Sequence, residues 1–436
     1  MARFPYQFPV QEIRQAISVL KPQFDVTEYP ELYVNFKEVR ARETFNSLSV
    51  KLNIIDDIFE STNDYSKILY TGHTGCGKST ELVILHHYLN NSDRFFSIYI
   101  DVNENLQMSS FEPEDLFILL ITRLVEALKE NGIGFAISGL KKLADEWLEE
   151  DHEILKELEK KTENETGIQL EAGFKFWNFL SLKSNLKTAF SYKSKTSEVI
   201  RKNIKQNRGD YIVIFNEILY EIKREIQRQN LGKEIIFILD GLEKLRQEKY
   251  DVYVQTFFRD AQLIQSLNSN LICCVPIDSI YDIHISGLVD GLYLRFILPL
   301  ISVNENTRHL FRKIVSKRVD ENKFFDEGVL DFCVDQSGGN PRQLIQIVAE
   351  ALSYSQPNNF VVNREIAEKA CSELGFDKRR VLTSTHFGLL KSQNYYDDAD
   401  KNIIEMLFSL ALLEYNGNTR KRLPNPLLLP FLKTDE

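Results

Sequence analysis

Apolar residues along this chain switch repeatedly between two spacings. Short runs rich in Ile, Leu, Val and aromatics (Ile68-Leu69-Tyr70, Phe95 to Asp101, Glu234 to Asp240, Leu271 to Val275 and Tyr293 to Leu298) alternate with longer stretches at helical spacing. The latter follow Lys78 and cover about Pro113 to Glu130, Tyr211 to Gln229 and Val252 to Leu267. Near-continuous apolar runs read as strands buried on both faces, and strands alternating with helices predict a parallel sheet with crossover helices. The expected fold class is α/β.

Four stretches depart from that alternation. Residues 1–30 hold four of the twelve prolines (Pro5, Pro9, Pro22 and Pro30), which predicts an arm with one short helix. Val10, Ile13, Ile17 and Leu20 share a face of that helix, for packing on the main domain or for docking a partner. Residues 132–209 form an insertion in the 31–300 domain, far longer than an ordinary connection. Its first half is acidic, with Glu149, Glu150, Asp151, Glu153, Glu157, Glu159, Glu163 and Glu165. Between Ala172 and Arg208 there are nine Lys or Arg against a single acid, Glu198, interleaved with Phe174, Phe176, Trp177, Phe179, Phe190 and Tyr192. Such a segment suits nucleic acid, pairing with the acidic half or a neighbouring subunit, or plain solvation. Residues 301–358 read as a helical lid. Residues 359–436 carry helices and then Asn416-Gly417 between apolar flanks, a hairpin signal. Helices followed by a hairpin predict a winged helix, with Arg420, Lys421 and Arg422 on its wing.

The 436 residues allow two or three domains, and 43% apolar with 27% charged residues is a folded-protein composition. The net charge of −10 makes any nucleic-acid site a local patch. Cys76, Cys273, Cys274, Cys333 and Cys371 are scattered and odd in number, as in a reducing compartment. The start lacks an apolar leader, and no run approaches the roughly 18 residues of a membrane span, so the cytoplasm is expected.

Chemistry enters after the first strand. Gly72-His73-Thr74-Gly75-Cys76-Gly77-Lys78-Ser79-Thr80 fits the phosphate-binding loop G-x-x-x-x-G-K-[ST]. Glycines let backbone N–H groups face phosphates, and the helix starting near Lys78 adds its positive end. Lys78 is then placed for the β- and γ-phosphates, and the Ser79 hydroxyl for Mg²⁺. The strand Glu234 to Asp240 ends in a carboxylate at the sheet edge, the Walker B pattern, making Asp240 the second magnesium residue. Glu243 either activates water or pairs with Lys244 and caps its helix. Arg40 and Arg42, upstream of the loop, either touch the nucleotide or are solvated. Arg259 is a candidate trans-acting arginine or a surface ion-pair partner. In Ser337-Gly338-Gly339-Asn340-Pro341-Arg342, two glycines end one helix and Pro341 opens the next. Arg342 on that first turn is placed to reach a γ-phosphate.

Together, Gly72 to Ser79, Asp240-Gly241-Leu242-Glu243, Val275-Pro276, Leu298-Pro299-Leu300 and Gly338 to Arg342 resemble the AAA+ and STAND-type P-loop ATPases, near the origin-recognition-like branch with a C-terminal winged helix. The resemblance implies ATP and Mg²⁺ as ligands, and a switch between closed and open or assembled states. It implies a protein partner or effector, with a homo-oligomer as a further form, in systems that include bacterial phage defence. The alternatives are a DNA-binding loader and a scaffold with negligible turnover. The sequence departs from the pattern in three ways. Gly241 stands where many members have Glu, Pro276 to Leu294 contains no arginine finger, and the strand ending at Val275 has no sensor Asn or Thr.

Overall fold

The computed structural model describes residues 6–22, 24, 26–40, 42–133, 139–140, 143, 195–281, 283–398, 400–415 and 421–433. Their centre is a five-stranded parallel sheet of β1 (Lys67–Thr71), β2 (Phe95–Asp101), β3 (Glu234–Asp240), β4 (Asn270–Cys274) and β5 (Leu294–Ile297), in the order β2-β3-β4-β1-β5. Every residue of β1, β3 and β4 is buried, the burial expected of parallel strands covered on both faces. The α/β expectation holds, as a P-loop-type sheet. Parallel pairing brings all five C-terminal ends to one edge, so the loop after β1 and the carboxylate ending β3 open on the same side.

The arm differs from expectation. Helix α1 (Ile13–Val19) buries Ala16 and Val19, while Ile17 is 46% exposed. It packs not on the sheet but on the later helical unit: Val10 bridges to Val319, and Val10, Val19 and Leu20 share a core with Phe311, Val315 and Ile347. Helix α2 (Arg42–Lys51) is followed by a hairpin of Ile54–Ile55 with Ile58–Phe59, which Asp56 and Asp57 turn by taking positive φ.

Helix α3 (Lys78–Leu89) follows the phosphate loop, and α4 (Pro113–Glu130) starts with Pro113 in its first turn, where a missing N–H costs nothing. Next in the described chain come α5 (Lys195–Gln206) and α6 (Arg208–Arg228). Helix α5 covers the end of the basic stretch, and its Ile200 and Ile204 enter the main core beside Leu120 and Phe215. Arg201 grips Asp115 of α4 with two hydrogen bonds of 2.7 and 2.6 Å, and Arg208 pairs with Glu114 and Asp260. These two cations are therefore committed to internal carboxylates. The acidic half of the insertion and its lysines and aromatics from 174 to 193 lie outside the described residues.

The helix expected over Val252 to Leu267 is interrupted. A π-helical turn, Gln255–Arg259, separates Tyr250–Val254 from Gln262–Ser266. The wider turn lets consecutive Thr256, Phe257 and Phe258 all face inward, which a regular α-turn would spread around the axis.

Helix α7 (Leu242–Glu248) leaves β3. Beyond β5, α8 (Arg308–Ser316), α9 (Val329–Gln336) and α10 (Pro341–Tyr354) make the helical unit. Helices α11 (Arg364–Arg380) and α12 (Lys401–Phe408) lead to an antiparallel hairpin of β6 (Leu412–Tyr415) and β7 (Lys421–Pro424). All five cysteines are buried and free. Among the described residues no helix is long and apolar enough to cross a membrane.

The Arg201–Asp115 pair yields a stability test. Asp115 is 1% exposed, and burial pushes its carboxyl up to about 6 against the opposing pull of Arg201. Arg201→Ala leaves that carboxylate buried and unpaired, an expected loss of about 3–5 kcal/mol in urea unfolding. The Arg201→Ala, Asp115→Asn double variant should recover part of it. A loss below about 1 kcal/mol would make Arg201 an ordinary surface cation.

Candidate functional site

The phosphate loop is held from outside by its own carbonyl groups. Gly72 O and His73 O accept from Lys78 Nζ at 3.0 and 3.2 Å. Thr74 O accepts from Asn340 Nδ2 at 2.8 Å, and Gly75 O from the Arg342 backbone N–H at 3.2 Å. Cys76 O accepts from Arg40 Nη2 at 2.8 Å, and Gly77 O from the Glu81 N–H inside α3 at 3.0 Å. A trans peptide carries its N–H opposite its C=O, so each engaged carbonyl fixes the direction of the following amide. The loop's shape thus comes from partners spread over residues 40 to 342.

Two of those partners are residues whose roles the sequence left open. Arg40 is buried and bonds both Cys76 O and Glu81 Oε1, the latter at 2.7 Å, so it braces the loop to α3 and is not solvated. The side chain of Arg42 lies outside the described residues. Asn340 caps α10 by accepting from the Gln343 N–H at 3.1 Å while its amide donates to Thr74 O. The Asn-Pro pair signals a helix start in the sequence; its contact with a loop 266 residues away leaves no local trace.

Arg342 is exposed at the start of α10, and its stem lies over Gly75. A Cβ on Gly75 would stand 2.6 Å from Arg342 Cβ and 2.8 Å from Asn340 Oδ1, and φ there is +81°. Only glycine lets the helix start this close to the loop. Arg342 is therefore at the loop by its backbone and aliphatic carbons.

On the inner side Lys78 is 7% exposed, and its Nζ lies 2.6 Å from Glu243 Oε1. Burial pushes the Lys78 ammonium down, but the Glu243 carboxylate beside it outweighs that and the net shift is upward. The ammonium is firmly charged. This corrects the pairing expected with Lys244: Glu243 pairs with Lys78, while Lys244 turns to Glu248 at 3.7 Å. Ser79 is exposed one residue beyond Lys78, and Thr80 is half-buried. Cys76 is buried, and burial raises its thiol pKa, which leaves it a packing group. His73 is buried, and its ring bonds to the C-terminal unit.

Asp240 ends β3, buried, and its two oxygens accept from Tyr99 Oη at 2.9 Å and from the Gly241 N–H at 2.8 Å. Tyr99 escapes sequence reasoning because the pairing of β2 with β3, which sets Asp101 opposite Asp240, is not legible locally. Gly241 explains why no Glu follows Asp240. It caps α7 at φ +86°, and a Cβ there would lie 2.1 Å from Asn103 Nδ2, whose amide bonds Gly241 O. The next carboxylate is Glu243, in the first turn of the helix.

Among the described residues no group of three or more His, Cys, Asp and Glu could by itself hold a metal. The set present is one hydroxyl, Ser79, and one strand-end carboxylate, Asp240, beside a fixed cation. That donor set suits Mg²⁺, which takes one or two protein oxygens and completes its shell with water and phosphate.

The basic site expected on the hairpin changes. Arg422 of the hairpin is 2% exposed and bonds Glu414 Oε2 at 2.9 Å, the Tyr395 carbonyl and Asp398. It holds the hairpin and is not offered to duplex DNA; Lys421 is exposed, and Arg420 lies outside the described residues. Arg259 is exposed at the end of the π-turn, and Arg295 pairs with Asp290.

No family model matches the chain, and no curated protein does. Among solved structures it is similar to the Aeropyrum pernix Orc1 protein in complex with DNA, at 15% identity and a TM-score of 0.36, over 91% of this chain and 81% of that one. It is similar also to Cdc6p from Pyrobaculum aerophilum, at 14% identity and a TM-score of 0.37, over 95% and 97%. Both likenesses are remote.

The contact at Gly75 can be tested against a glycine without neighbours. Gly75→Ala combines a left-handed backbone, worth about 1–2 kcal/mol, with the collision against Arg342 and Asn340. Gly328→Ala meets the same strain at φ +76° with nothing within 4 Å. Thermal unfolding should therefore show a larger drop in Tm for Gly75→Ala; equal drops would mean that α10 yields freely to the loop.

Proposed function

We propose that this chain is an ATP-hydrolysing molecular switch of the AAA+/STAND type, in which the bound nucleotide controls assembly or a protein partner. The observation that carries the reading is the buried Lys78 in contact with Glu243 at 2.6 Å, at the sheet edge where β3 delivers Asp240.

Each group has a distinct task. The loop amides and the N-terminus of α3 receive phosphate oxygens, and Lys78 adds a permanent positive charge. Phosphate oxygens and Glu243 compete for the same Nζ. When Lys78 turns to phosphate, the Glu243 carboxylate is released and takes a proton from the attacking water. Mg²⁺ bound by Ser79 and Asp240 would supply charge neutralisation at the phosphates. Tyr99 and the Gly241 amide keep Asp240 in one orientation. Helix α10 rests on the loop through Asn340 and Arg342, so a loop that changes shape bears directly on the helical unit. A base that also serves as the lysine's counter-ion favours slow turnover, as suits a switch.

ATP binding and turnover by three proteins test this reading. Lys78→Ala should lose nucleotide binding. Glu243→Gln removes both the base and the competitor for Lys78, so it should bind ATP more tightly than wild type while hydrolysis falls about 10²-fold or more. Turnover that survives Lys78→Ala would sink the assignment. A Glu243→Gln variant as active as wild type would leave only nucleotide binding. A wild-type rate that rises several-fold on addition of duplex DNA would replace the protein partner with DNA.

A further inference from the structure

His73 lies in the loop, yet both ring nitrogens are used by the C-terminal unit. Nδ1 is 3.2 Å from Leu407 O at the end of α12, and Nε2 accepts the Glu414 N–H of β6 at 2.8 Å. Only the neutral tautomer with its proton on Nδ1 satisfies both bonds, and burial holds the ring neutral, pushing its pKa down to about 3. On its backbone side the same residue accepts from Lys78 Nζ at 3.2 Å and from the Cys76 N–H at 3.2 Å. One residue therefore joins the hairpin strand to the phosphate-binding lysine.

The strand is itself firmly seated. The Glu414 carboxylate accepts from Tyr281 Oη at 2.6 Å and from Arg422 Nε at 2.9 Å, and Tyr415 Oη donates to Gly338 O at 2.6 Å. A further pair of hydrogen bonds joins Asn425 to Gln343 of α10. The hairpin is thus clamped between the sheet domain and the helical unit, and among the described residues its one backbone donor to the loop is the Glu414 N–H on His73.

We infer that His73 is a positioning residue that couples docking of the β6–β7 hairpin to phosphate binding at Lys78, each strengthening the other. The inference rests on the nucleotide reading above. Its sign follows from the geometry. With the ring held at both nitrogens, the His73 carbonyl is fixed where it orients Lys78 and the Cys76 amide. Without that hold, the loop must be ordered at the nucleotide's expense. By linkage, a nucleotide that selects the ordered loop must tighten the hairpin by the same factor.

The test uses the full-length chain and the non-hydrolysable analogue AMP-PNP with Mg²⁺, reading affinity by titration and exchange of the Glu414 amide by hydrogen exchange. In wild type, saturating analogue should slow Glu414 exchange about fivefold or more. His73→Asn should bind the analogue about fivefold more weakly and lose the slowing. A purely structural role would speed exchange by the same factor with and without analogue, and that result overturns the inference. Tyr281→Phe provides a second route, since it loosens Glu414 without touching the loop. It should weaken AMP-PNP binding several-fold, and unchanged affinity counts against the coupling. If wild type binds no analogue, the nucleotide reading and this inference fall together. If it binds and Glu414 is unaffected, only the inference falls.

Discussion

The structure depends on hydrogen bonds to the carbonyl side of the phosphate loop. A glycine-rich segment has no intrinsic reason to keep one shape, and glycine loses more conformational entropy on ordering than any other residue. Here each carbonyl from Gly72 to Gly77 accepts a bond, from Lys78, Asn340, Arg342, Arg40 or Glu81. Those bonds set the planes of the peptides, and the planes set the directions of the amides that face a phosphate. The sheet, the pre-loop segment and the helical unit all meet at this loop, so the site is a product of the whole tertiary structure.

Inside that frame, two carboxylates at the ends of one strand–helix junction take different environments. Asp240 is held by a tyrosine hydroxyl and a backbone amide, which orient it without neutralising it. Glu243, one turn later, is bound to a lysine. The separation is enforced by packing at Gly241, where Asn103 fills the space a side chain would need. A departure from the usual motif thus has a steric cause in the neighbouring strand–helix turn.

Much of this was legible in the sequence, and the remainder was not for definite reasons. The strands were visible because burial on both faces forces continuous apolar runs, and the meeting of the Gly72–Ser79 loop with Asp240 at one sheet edge was visible because both motifs follow strands of a parallel sheet. Arg342 was found through Asn340-Pro341, a local helix-start signal. Pairing partners at long range were not visible. Nothing near Glu243 says that it will meet Lys78 and not Lys244, and nothing near Arg422 distinguishes a solvent-facing cation from one buried on Glu414. The arm's apolar face was apparent, but not its target, because a face tells what is buried and not against what. The π-turn at Gln255–Arg259 was hidden for a related reason: helical spacing averages over a single widened turn.

The long reach of the loop's contacts bears on how the protein is made. His73 bonds to residues 334 and 341 positions further on, and Thr74 to one 266 further on. Chains emerge from the ribosome N-terminus first, and contacts this distant in sequence are the last that a growing chain can form. The loop therefore waits, incompletely braced, until the β6–β7 hairpin, with Glu414 341 residues beyond His73, has been synthesised. A chain cut short before β6 lacks a strand partner of the His73 ring and so part of the outer support of this loop. In this architecture, Leu407 and Glu414 take part in building the loop at residues 72–79.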